Sequence, residues 1–364
     1  MSPLAETGQQ FGVYIHIPFC TKRCDYCAFT TFTEYFHLRT DYIKACSAEI
    51  DLAAKAGMLR PATSVYVGGG TPSLTEGRDL ALLISSIPKT TDAEITVEVN
   101  PESLTPDFCA AIQDTGVNRI SMGVQSLVPR VLEDLGRPHY PGSVEKALEL
   151  ISQYNFSSHS VDIIYGAASE TTEDLAETLD KVFAMDPGLP HLSAYALTVE
   201  QGTPLARDTR RYPDEDRQAT FYGFIDEYLK TKGMTWYEIS NWAKPSHACR
   251  HNELYWLGDP YLGIGCAAHG YIEGTRYKNT SSINRYLKMI GEGRLSRTQD
   301  DVITPKEREL ELLYLKLRTA SGVPEKNLDF AEDLADLVRL ESGKYTLTLK
   351  GRLLANEVAH RLSV

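Results

Sequence analysis

The 364-residue sequence has no long apolar run, no run of Lys or Arg and no secretory signal at its start. No segment approaches the roughly 18 consecutive apolar residues of a membrane-spanning helix, which argues against a membrane span. The stretch from Met1 to Gln10 has neither a basic start nor an apolar core, so the cytoplasm is the predicted location. The net charge of −12 argues against binding to nucleic acid or to an anionic membrane surface.

Length and composition indicate a globular protein. The chain has room for one large domain and a smaller one, and its hydrophobic content of 42% is enough to build a buried core. Seven cysteines, an odd number, fit a reducing compartment better than a disulfide framework.

Three cysteines, Cys20, Cys24 and Cys27, lie in one short stretch directly after the strand-like segment 13–17. Spacers of three and two residues allow a loop to present three thiolates to three irons of an iron–sulfur cube, leaving the fourth iron without a protein ligand. A structural zinc site usually has a C-x-x-C pair at each end, and the sequence has no second pair. Three unrelated core thiols are the alternative, but buried cysteines do not cluster on a loop bearing Lys, Arg and Asp.

Strand-like and helical patterns alternate over the first two thirds of the chain. The predicted strands are residues 13–17, 64–67, 95–99, 119–123, 161–165 and 192–197, with helices at 41–56 and from 105 to Gly116. Such alternation predicts parallel strands joined by right-handed crossovers, with functional groups at the C-terminal strand ends. Periodicity alone does not distinguish an open doubly wound sheet from a barrel.

The pattern changes after Glu200. A long helix is predicted over 214–230 and a strand over 236–239, followed by a loop-rich aromatic segment, 241–277. From Thr304 the order is helix, helix, a hairpin at 342–344 and a final helix, which suits a small winged-helix-like domain. Its mixed charges favour a lid or partner surface over DNA binding.

Several polar residues stand at or near the predicted strand ends. The glycines of 68–70 let a ligand approach the backbone closely, although a simple tight turn is the alternative. Arg137 has a planar fork suited to a carboxylate, and a surface arginine is the alternative. Glu98 alternates with apolar neighbours in its strand, as a solvent-facing residue would. Asp162 lies in an apolar strand, where a carboxylate needs a hydrogen-bonding partner.

The cysteine motif, with Tyr26 just before its third cysteine, resembles the signature of the radical S-adenosylmethionine (SAM) enzymes. In that superfamily the amino and carboxylate groups of SAM chelate the open iron, and an electron from the cluster yields a 5′-deoxyadenosyl radical. The phrase from Tyr14 to Cys20 is similar to the oxygen-independent coproporphyrinogen III oxidase (HemN-like) family and its heme-chaperone branch, the HemW proteins. The resemblance covers about residues 12 to 360.

The resemblance implies an α/β fold, a partial (β/α)6 radical SAM barrel with a C-terminal helical, winged-helix-like domain. The domains it predicts are an N-terminal arm, 1–11, the barrel and its extension, 12–240, a loop-rich segment, 241–303, and the C-terminal domain, 304–364.

The resemblance also assigns two cofactors to the barrel, a 4Fe-4S cluster on the three cysteines and SAM at its open iron. In the superfamily the loop after the second strand holds the methionyl amino group, Glu98 binds the ribose or the methionyl part, and Asp162 is placed for a ribose hydroxyl. The full set of residues predicted to bind SAM is Tyr14, Gly69, Gly70, Thr71, Glu98, Gln125, Arg137, Asp162 and Ala196, the last by its main chain only.

A second group of residues resembles a motif of the HemW branch, His251-Asn-x-x-Tyr255-Trp256. An imidazole beside Tyr and Trp rings can ligate heme iron and stack on a porphyrin, so these three residues are the predicted heme site. The alternative is that His251 is a core residue whose ring nitrogens are already hydrogen-bonded. The competing candidates for the heme ligand are His247, Cys249, Cys266 and His269.

Departures from the family pattern affect the assignment. The decarboxylating oxidase has a further cysteine two residues after the third, where this chain has Phe29, and a longer segment before its cluster. Both differences favour the HemW branch. The loop 166–170 lacks the Gly-Leu-Pro-x-Gln-Thr usual in the family, and residues 266–270 depart slightly from its Gly-x-Gly-Ala-His-Ser pattern.

The predicted function is therefore heme binding and delivery to an apoprotein, with a respiratory enzyme as one candidate acceptor and a flavodoxin or ferredoxin as electron donor. Whether the chain is also an enzyme stays open. The alternatives are oxidative decarboxylation of coproporphyrinogen III, a HemN-like radical SAM methyltransferase, and a catalytically silent interaction protein.

Overall fold

Six parallel strands in sequence order form the centre of the structure, a computed structural model that describes residues 10–137, 140–325 and 334–361. β1 and β2 pair in register from Gly12 with Ser64, and each later strand joins the edge left by the one before it. These strands are β1 (Gly12–Ile17), β2 (Ala62–Gly69), β3 (Lys89–Val99), β4 (Arg119–Gln125), β5 (Ser158–Tyr165) and β6 (His191–Ala196).

Helices connect the parallel strands. They are α1 (Arg39–Lys55), α2 (Gly77–Ser85), α3 (Pro106–Gln113), α4 (Pro129–Asp134), α5 (Pro141–Ser152) and α6 (Thr172–Met185). The expected helix ends are confirmed where local chemistry defines them. Thr105 accepts a hydrogen bond from the Phe108 backbone N–H at the start of α3, and Gly57 adopts a positive φ of 72° after α1.

The strand order favours a barrel over a doubly wound sheet. In a doubly wound sheet the order reverses at a switch point, whereas right-handed crossovers in the order β1 to β6 place the helices on one face. The apolar face of the strands, with Val13, Ile15, Val65 and Val97, belongs to the main core. The other face curls inward and carries polar side chains. β1 and β6 pair with other strands rather than with each other, so the six strands form a partial barrel, as predicted.

The sheet continues beyond both edges of the barrel. The elements that follow β6 are α7 (Glu215–Thr231), β7 (Thr235–Glu238), β8 (Asn241–Ala243), α8 (Arg250–Leu257), β9 (Tyr261–Ile264), β10 (His269–Ile272), β11 (Thr275–Asn279), α9 (Ile283–Gly291) and β12 (Arg297–Val302). β8 and β7 extend the sheet beside β6, and β9 runs parallel to β1 with β10 to β12 outside it. The segment 241–303, expected to be rich in loops, therefore contributes regular structure to the barrel sheet.

The C-terminal part has its own small core. Its elements are α10 (Pro305–Leu317), β13 (Val323–Pro324), β14 (Val338–Glu341), β15 (Lys344–Leu347), α11 (Leu349–Leu353) and α12 (Ala355–His360). The predicted hairpin joins β14 to β15, with positive φ at Ser342 and Gly343. Leu313, Leu347 and Val358 pack together in this core. The second helix expected here would fall largely on residues 326–333, which lie outside the described residues, as do residues 1–9 of the predicted N-terminal arm.

Within the described ranges, no helix is both long enough and apolar enough to cross a membrane.

Candidate functional site

The three clustered thiols lie in the loop that follows β1. The loop is fixed at its start by a hydrogen bond from the Cys20 N–H to the Phe32 carbonyl, 3.1 Å, and in its middle by one from the Asp25 N–H to the Leu135 carbonyl, 3.2 Å. Cys24 is buried, whereas Cys20 and Cys27 are partly exposed, and all three are free thiols. The loop is thus held from two sides while its sulfurs face a cavity.

Burial and neighbouring donors set the charge of these thiols. Burial raises the pKa of Cys20 to about 11, partly opposed by a contact of its Sγ with Thr71 Oγ1, and burial also raises the pKa of Cys27. Without a metal these two thiols are therefore protonated at neutral pH, and metal binding must release their protons. No three His, Cys, Asp or Glu side chains of the described residues converge on a single-ion site. In a 4Fe-4S cube, by contrast, each thiolate would bind a different iron.

A cavity of about 610 Å³ opens beside the thiols at the C-terminal ends of the parallel strands. Apart from Tyr14, it brings together all of the residues predicted to bind SAM: Gly69, Gly70, Thr71, Glu98, Gln125, Arg137, Asp162 and Ala196. Tyr14 lies outside this lining and its hydroxyl is 3.0 Å from His16 Nδ1. A more open groove of about 1200 Å³ adjoins the cavity, but the three thiols do not line that groove. The smaller cavity is therefore the candidate site.

The glycines at the end of β2 and the residues directly after them pack on the loop that carries the three thiols. The Gly70 N–H donates to the Ile17 carbonyl and the Thr71 N–H to the Phe19 carbonyl, both at 2.8 Å. A Cβ at position 70 would lie 2.7 Å from the Phe19 carbonyl oxygen, so only glycine fits there. The close packing places backbone atoms of these residues beside the thiols.

Glu98 points into the barrel and is not the solvent-facing carboxylate that its strand alternation alone would predict. Its two oxygens accept hydrogen bonds from the Tyr66 hydroxyl, 2.8 Å, and from the Gly69 N–H, 3.0 Å. Burial raises the pKa of Glu98 to about 7, while both hydrogen bonds oppose the increase. The carboxyl group can therefore change its charge near neutral pH.

Asp162 is surrounded by serines of its own strand, β5, and of the neighbouring strands β4 and β6. Ser121 and Ser193 each donate to the carboxylate at 2.7 Å, and Ser160 donates at 3.2 Å. Burial raises the pKa of Asp162, and the serine hydrogen bonds oppose that increase. The serines supply the partners that a carboxylate in this strand requires, and they orient it toward the cavity.

Gln125 and Arg137 complete the side of the cavity formed by β4 and the segment after α4. Gln125 has a φ of 64°, a left-handed conformation that is costly outside glycine and concentrates at functional sites. Nη2 of Arg137 donates to Asn100 Oδ1 at 2.6 Å and to the Gly123 carbonyl at 3.1 Å, and its Nη1 is 3.7 Å from Cys24 Sγ. The partly buried guanidinium therefore lies beside the loop that carries the three thiols.

The predicted heme residues lie at the other end of the barrel, on α8. His251 is buried next to Gly12 at the N-terminal end of β1. Its Nδ1 is 2.8 Å from Ser64 Oγ and its Nε2 is 2.9 Å from the Tyr255 hydroxyl, so both ring nitrogens are occupied. Burial lowers the pKa of His251 to about 3, which keeps the ring neutral. Trp256 is partly buried and forms a hydrogen bond with Glu238.

The competing heme ligands differ in accessibility. Cys249 and Cys266 are buried, and the Cys249 thiol is 3.4 Å from Glu94 Oε1. His247 Nδ1 is 3.0 Å from Ser158 Oγ, and His269 is exposed at the start of β10. Of these four, His269 is the side chain most open to an external ligand.

Sequence reasoning missed several residues that line the cavity or hydrogen-bond to Asp162, namely Tyr66, Asn100, Ser121, Ser160, Ser193 and Tyr195. The signal for most of them is the two-residue period of a strand. Asn100 follows Glu98 by two positions, and Ser160 precedes Asp162 by two, so each pair shares the inward face.

The residues present fit a 4Fe-4S cluster with SAM. Three reduced thiols, a glycine loop that excludes a Cβ, two oriented carboxylates and an arginine converge on one cavity of a size typical for small-molecule sites.

Comparisons with known proteins agree with this arrangement. The Radical SAM superfamily profile matches residues 14–182. The chain is 40% identical to the heme chaperone HemW of Mycobacterium tuberculosis (strain ATCC 25618 / H37Rv), over 98% of this chain and 95% of that protein. It is 32% identical to the heme chaperone HemW of Bacillus subtilis (strain 168), over 95% of this chain and 97% of that protein.

Among solved structures, coproporphyrinogen III oxidase (HemN) from Escherichia coli superimposes with a TM-score of 0.82 at 21% identity, covering 98% of this chain and 91% of that chain. At that identity the similarity supports the fold alone.

Proposed function

The chain belongs to the HemW family within the radical SAM superfamily, and from this premise we propose that it is a heme chaperone, which binds heme and transfers it to an acceptor protein. The observation that carries the proposal is the similarity to proteins named heme chaperone HemW over nearly the whole length of both chains. The superfamily implies a 4Fe-4S cluster and SAM, and the cavity offers residues for both.

The three thiols would hold the cluster, with one coordination position left for exchangeable SAM. When bound, the cluster supplies electrons at low potential and an open iron.

The Arg137 guanidinium would bind the methionyl carboxylate of SAM. The Gly69–Gly70 backbone and Glu98 would accept hydrogen bonds from the methionyl amino group or from a ribose hydroxyl. Asp162, fixed by its serines, would accept from the ribose. Gln125 and the Ala196 main chain would complete the contacts, and Tyr14 would require a rearrangement of its contact with His16.

Phe29 lies where the decarboxylating oxidase has its additional cysteine. The side chain is 65% exposed and lines the cavity mouth, so it offers an apolar surface and no thiol at this position. This difference supports the chaperone over the oxidase, although the two share a fold.

Heme would be held by His251, Tyr255 and Trp256. Coordination of iron through Nε2 would require the Tyr255 hydroxyl to leave that nitrogen, because both now lie within hydrogen-bonding distance. The imidazole is already neutral, so no proton has to leave it before it binds iron. Exposed His269 is the competing ligand. A cytoplasmic location and a flavodoxin or ferredoxin as electron donor stay predictions.

A heme-transfer assay tests the proposal. Oxygen-free protein is titrated with heme, and the loaded protein is mixed either with a heme-free respiratory enzyme or with apomyoglobin, which collects only heme that dissociates. We expect a stoichiometric Soret shift and faster transfer to the respiratory enzyme than to apomyoglobin. The absence of a Soret shift in both redox states would contradict the proposal.

A second assay separates the chaperone from the enzymes. The protein is incubated with coproporphyrinogen III, SAM and a reductant, and the products are analysed. Formation of protoporphyrinogen would assign the decarboxylase, whereas a methylated product with S-adenosylhomocysteine would assign the methyltransferase.

A further inference from the structure

Asn100 connects the two sides of the cofactor cavity. It directly follows β3, two residues after Glu98, and its side chain lines the cavity beside the thiol loop. Its Oδ1 accepts a hydrogen bond from Arg137 Nη2 at 2.6 Å, and its Nδ2 donates to Thr71 Oγ1 at 3.0 Å. The amide therefore joins the arginine on one side to the threonine of the glycine loop on the other.

The hydrogen bonds of Asn100 have a fixed direction. Because Arg137 only donates, Asn100 must present its oxygen to it, and its nitrogen then points to Thr71. Since Thr71 Oγ1 accepts from Asn100, its own proton is free to point to Cys20 Sγ, 3.7 Å away. At the other end, Arg137 Nη1 is 3.7 Å from Cys24 Sγ. Donors thus approach two of the three thiols from opposite ends of one chain of hydrogen bonds.

We propose that Asn100 is a positioning residue for the cofactors, holding the Arg137 fork for the SAM carboxylate and directing the Thr71 hydroxyl to the Cys20 sulfur. The proposal rests on the cofactor set of the proposed function. Hydrogen bonds to cluster sulfurs influence the reduction potential of the cluster. A guanidinium that is already oriented binds a carboxylate more tightly than a mobile one. Asn100 should affect both SAM affinity and cluster potential.

Three variants separate positioning from simple support of the fold. Asn100→Ala removes both hydrogen bonds. Asn100→Asp keeps an acceptor for Arg137 but offers a second acceptor to Thr71, which turns the threonine hydroxyl away from Cys20. The matched control is Asn118→Ala, because Asn118 also supports β3, by accepting from the Ile95 N–H at 2.9 Å, but lies outside the cavity lining.

The measurements are iron content, SAM dissociation constant and cluster midpoint potential, all on oxygen-free reconstituted protein. Asn100→Ala should keep its iron and bind SAM about tenfold more weakly, the effect of losing one hydrogen bond to a charged group. Asn100→Asp should also weaken SAM binding, because its carboxylate competes with the SAM carboxylate for Arg137. Both Asn100→Asp and Thr71→Val should make the midpoint potential of the cluster more negative. Asn118→Ala should lower only the unfolding temperature.

Two outcomes would overturn the inference. In the first, Asn100→Ala binds SAM as the wild type does and Asn100→Asp leaves the potential unchanged. In the second, Asn100→Ala loses the cluster while Asn118→Ala keeps it, which makes Asn100 a determinant of cluster retention. Failure of the wild-type protein itself to bind cluster or SAM would instead contradict the proposed cofactors, so the two failures are distinguishable.

Discussion

The Tyr66 hydroxyl donates a 2.8 Å hydrogen bond to Glu98, and the Tyr66 ring stacks on His251, with centroids 5.2 Å apart. Tyr66 therefore contacts the predicted SAM site through its hydroxyl and the predicted heme motif through its ring. The two regions lie at opposite ends of the barrel, and this one side chain spans the distance between them.

Removal of the Tyr66 hydroxyl should change how SAM binding depends on pH. The pKa of Glu98 is about 7 because burial raises it, and the Tyr66 hydrogen bond stabilises the ionised form. If the carboxylate binds SAM, affinity should rise as pH increases from 6 to 8. Tyr66→Phe should move the midpoint of that profile upward by about one pH unit, since the pKa of Glu98 increases further.

Equilibrium dialysis of SAM across this pH range measures the effect. Glu98→Gln should flatten the profile, and Tyr154→Phe, which loses a surface hydroxyl bonded to the Pro106 carbonyl, serves as control. An identical midpoint in Tyr66→Phe and wild type would contradict the prediction.

Replacement of one of the three predicted cluster ligands should prevent cluster binding. We expect Cys24→Ser to lose the iron and the paramagnetic signal of reconstituted protein, because a serine hydroxyl is a poor ligand for iron–sulfur clusters. Cys109→Ala, a buried thiol of α3, should retain both. An intact cluster in Cys24→Ser would remove the basis of the cofactor assignment.

Much of the barrel could be predicted because its signals are local. The strand that ends before Cys20 and the threonine cap of α3 depend on residues close in sequence, and the structure places them as expected. The run of glycines is also a local signal, but β2 extends through Gly69, two residues beyond the predicted strand. β3, by contrast, begins six residues before the predicted strand, at Lys89, because its early polar residues carry no strand alternation.

Long-range pairing could not be predicted in this way. β9 lies beside β1 through pairs such as Gly12 with Tyr261, and local periodicity contains no information about which strands become neighbours. Two of the three serines around Asp162 have the same origin, because Ser121 and Ser193 come from β4 and β6, which only the fold places beside β5. The domain boundary predicted at residue 240 lies between β7 and β8 and stays a prediction.

Variants of the heme motif should separate ligation from packing. If His251 ligates heme, His251→Ala should abolish the Soret shift, and Tyr255→Phe should bind heme at least as tightly as wild type, because Nε2 loses its competing hydroxyl. His269→Ala, which changes an exposed histidine, should bind normally. The opposite pattern, with loss only in His269→Ala, would assign the ligand to His269.

A buried ion pair should anchor α11 to the barrel extension. Arg352 forms two 2.9 Å contacts with Asp226 of α7, and both side chains are almost fully buried. Arg352→Ala should lower the free energy of unfolding by about 3 kcal/mol, because the buried Asp226 carboxylate loses its guanidinium partner. The Arg361–Glu357 pair is about half exposed, so Arg361→Ala should cost at most about 0.5 kcal/mol. Urea unfolding measures both, and equal effects would contradict the prediction.

Glu49 should make stability fall as pH rises. This buried residue of α1 accepts hydrogen bonds from the Gly265 N–H, 2.7 Å, and the Tyr286 hydroxyl, 2.8 Å, and burial raises its pKa from 4.5 to about 7. Because the folded state binds this proton more tightly than the unfolded state, the stabilisation is complete below pH 4.5 and is lost as pH rises through 7. Glu49→Gln cannot ionise, so its stability relative to wild type should increase by about 3 kcal/mol between pH 5 and 8. Urea unfolding at several pH values tests this, with the exposed Glu227→Gln as control; parallel curves for Glu49→Gln and wild type would mean that Glu49 does not titrate in this range.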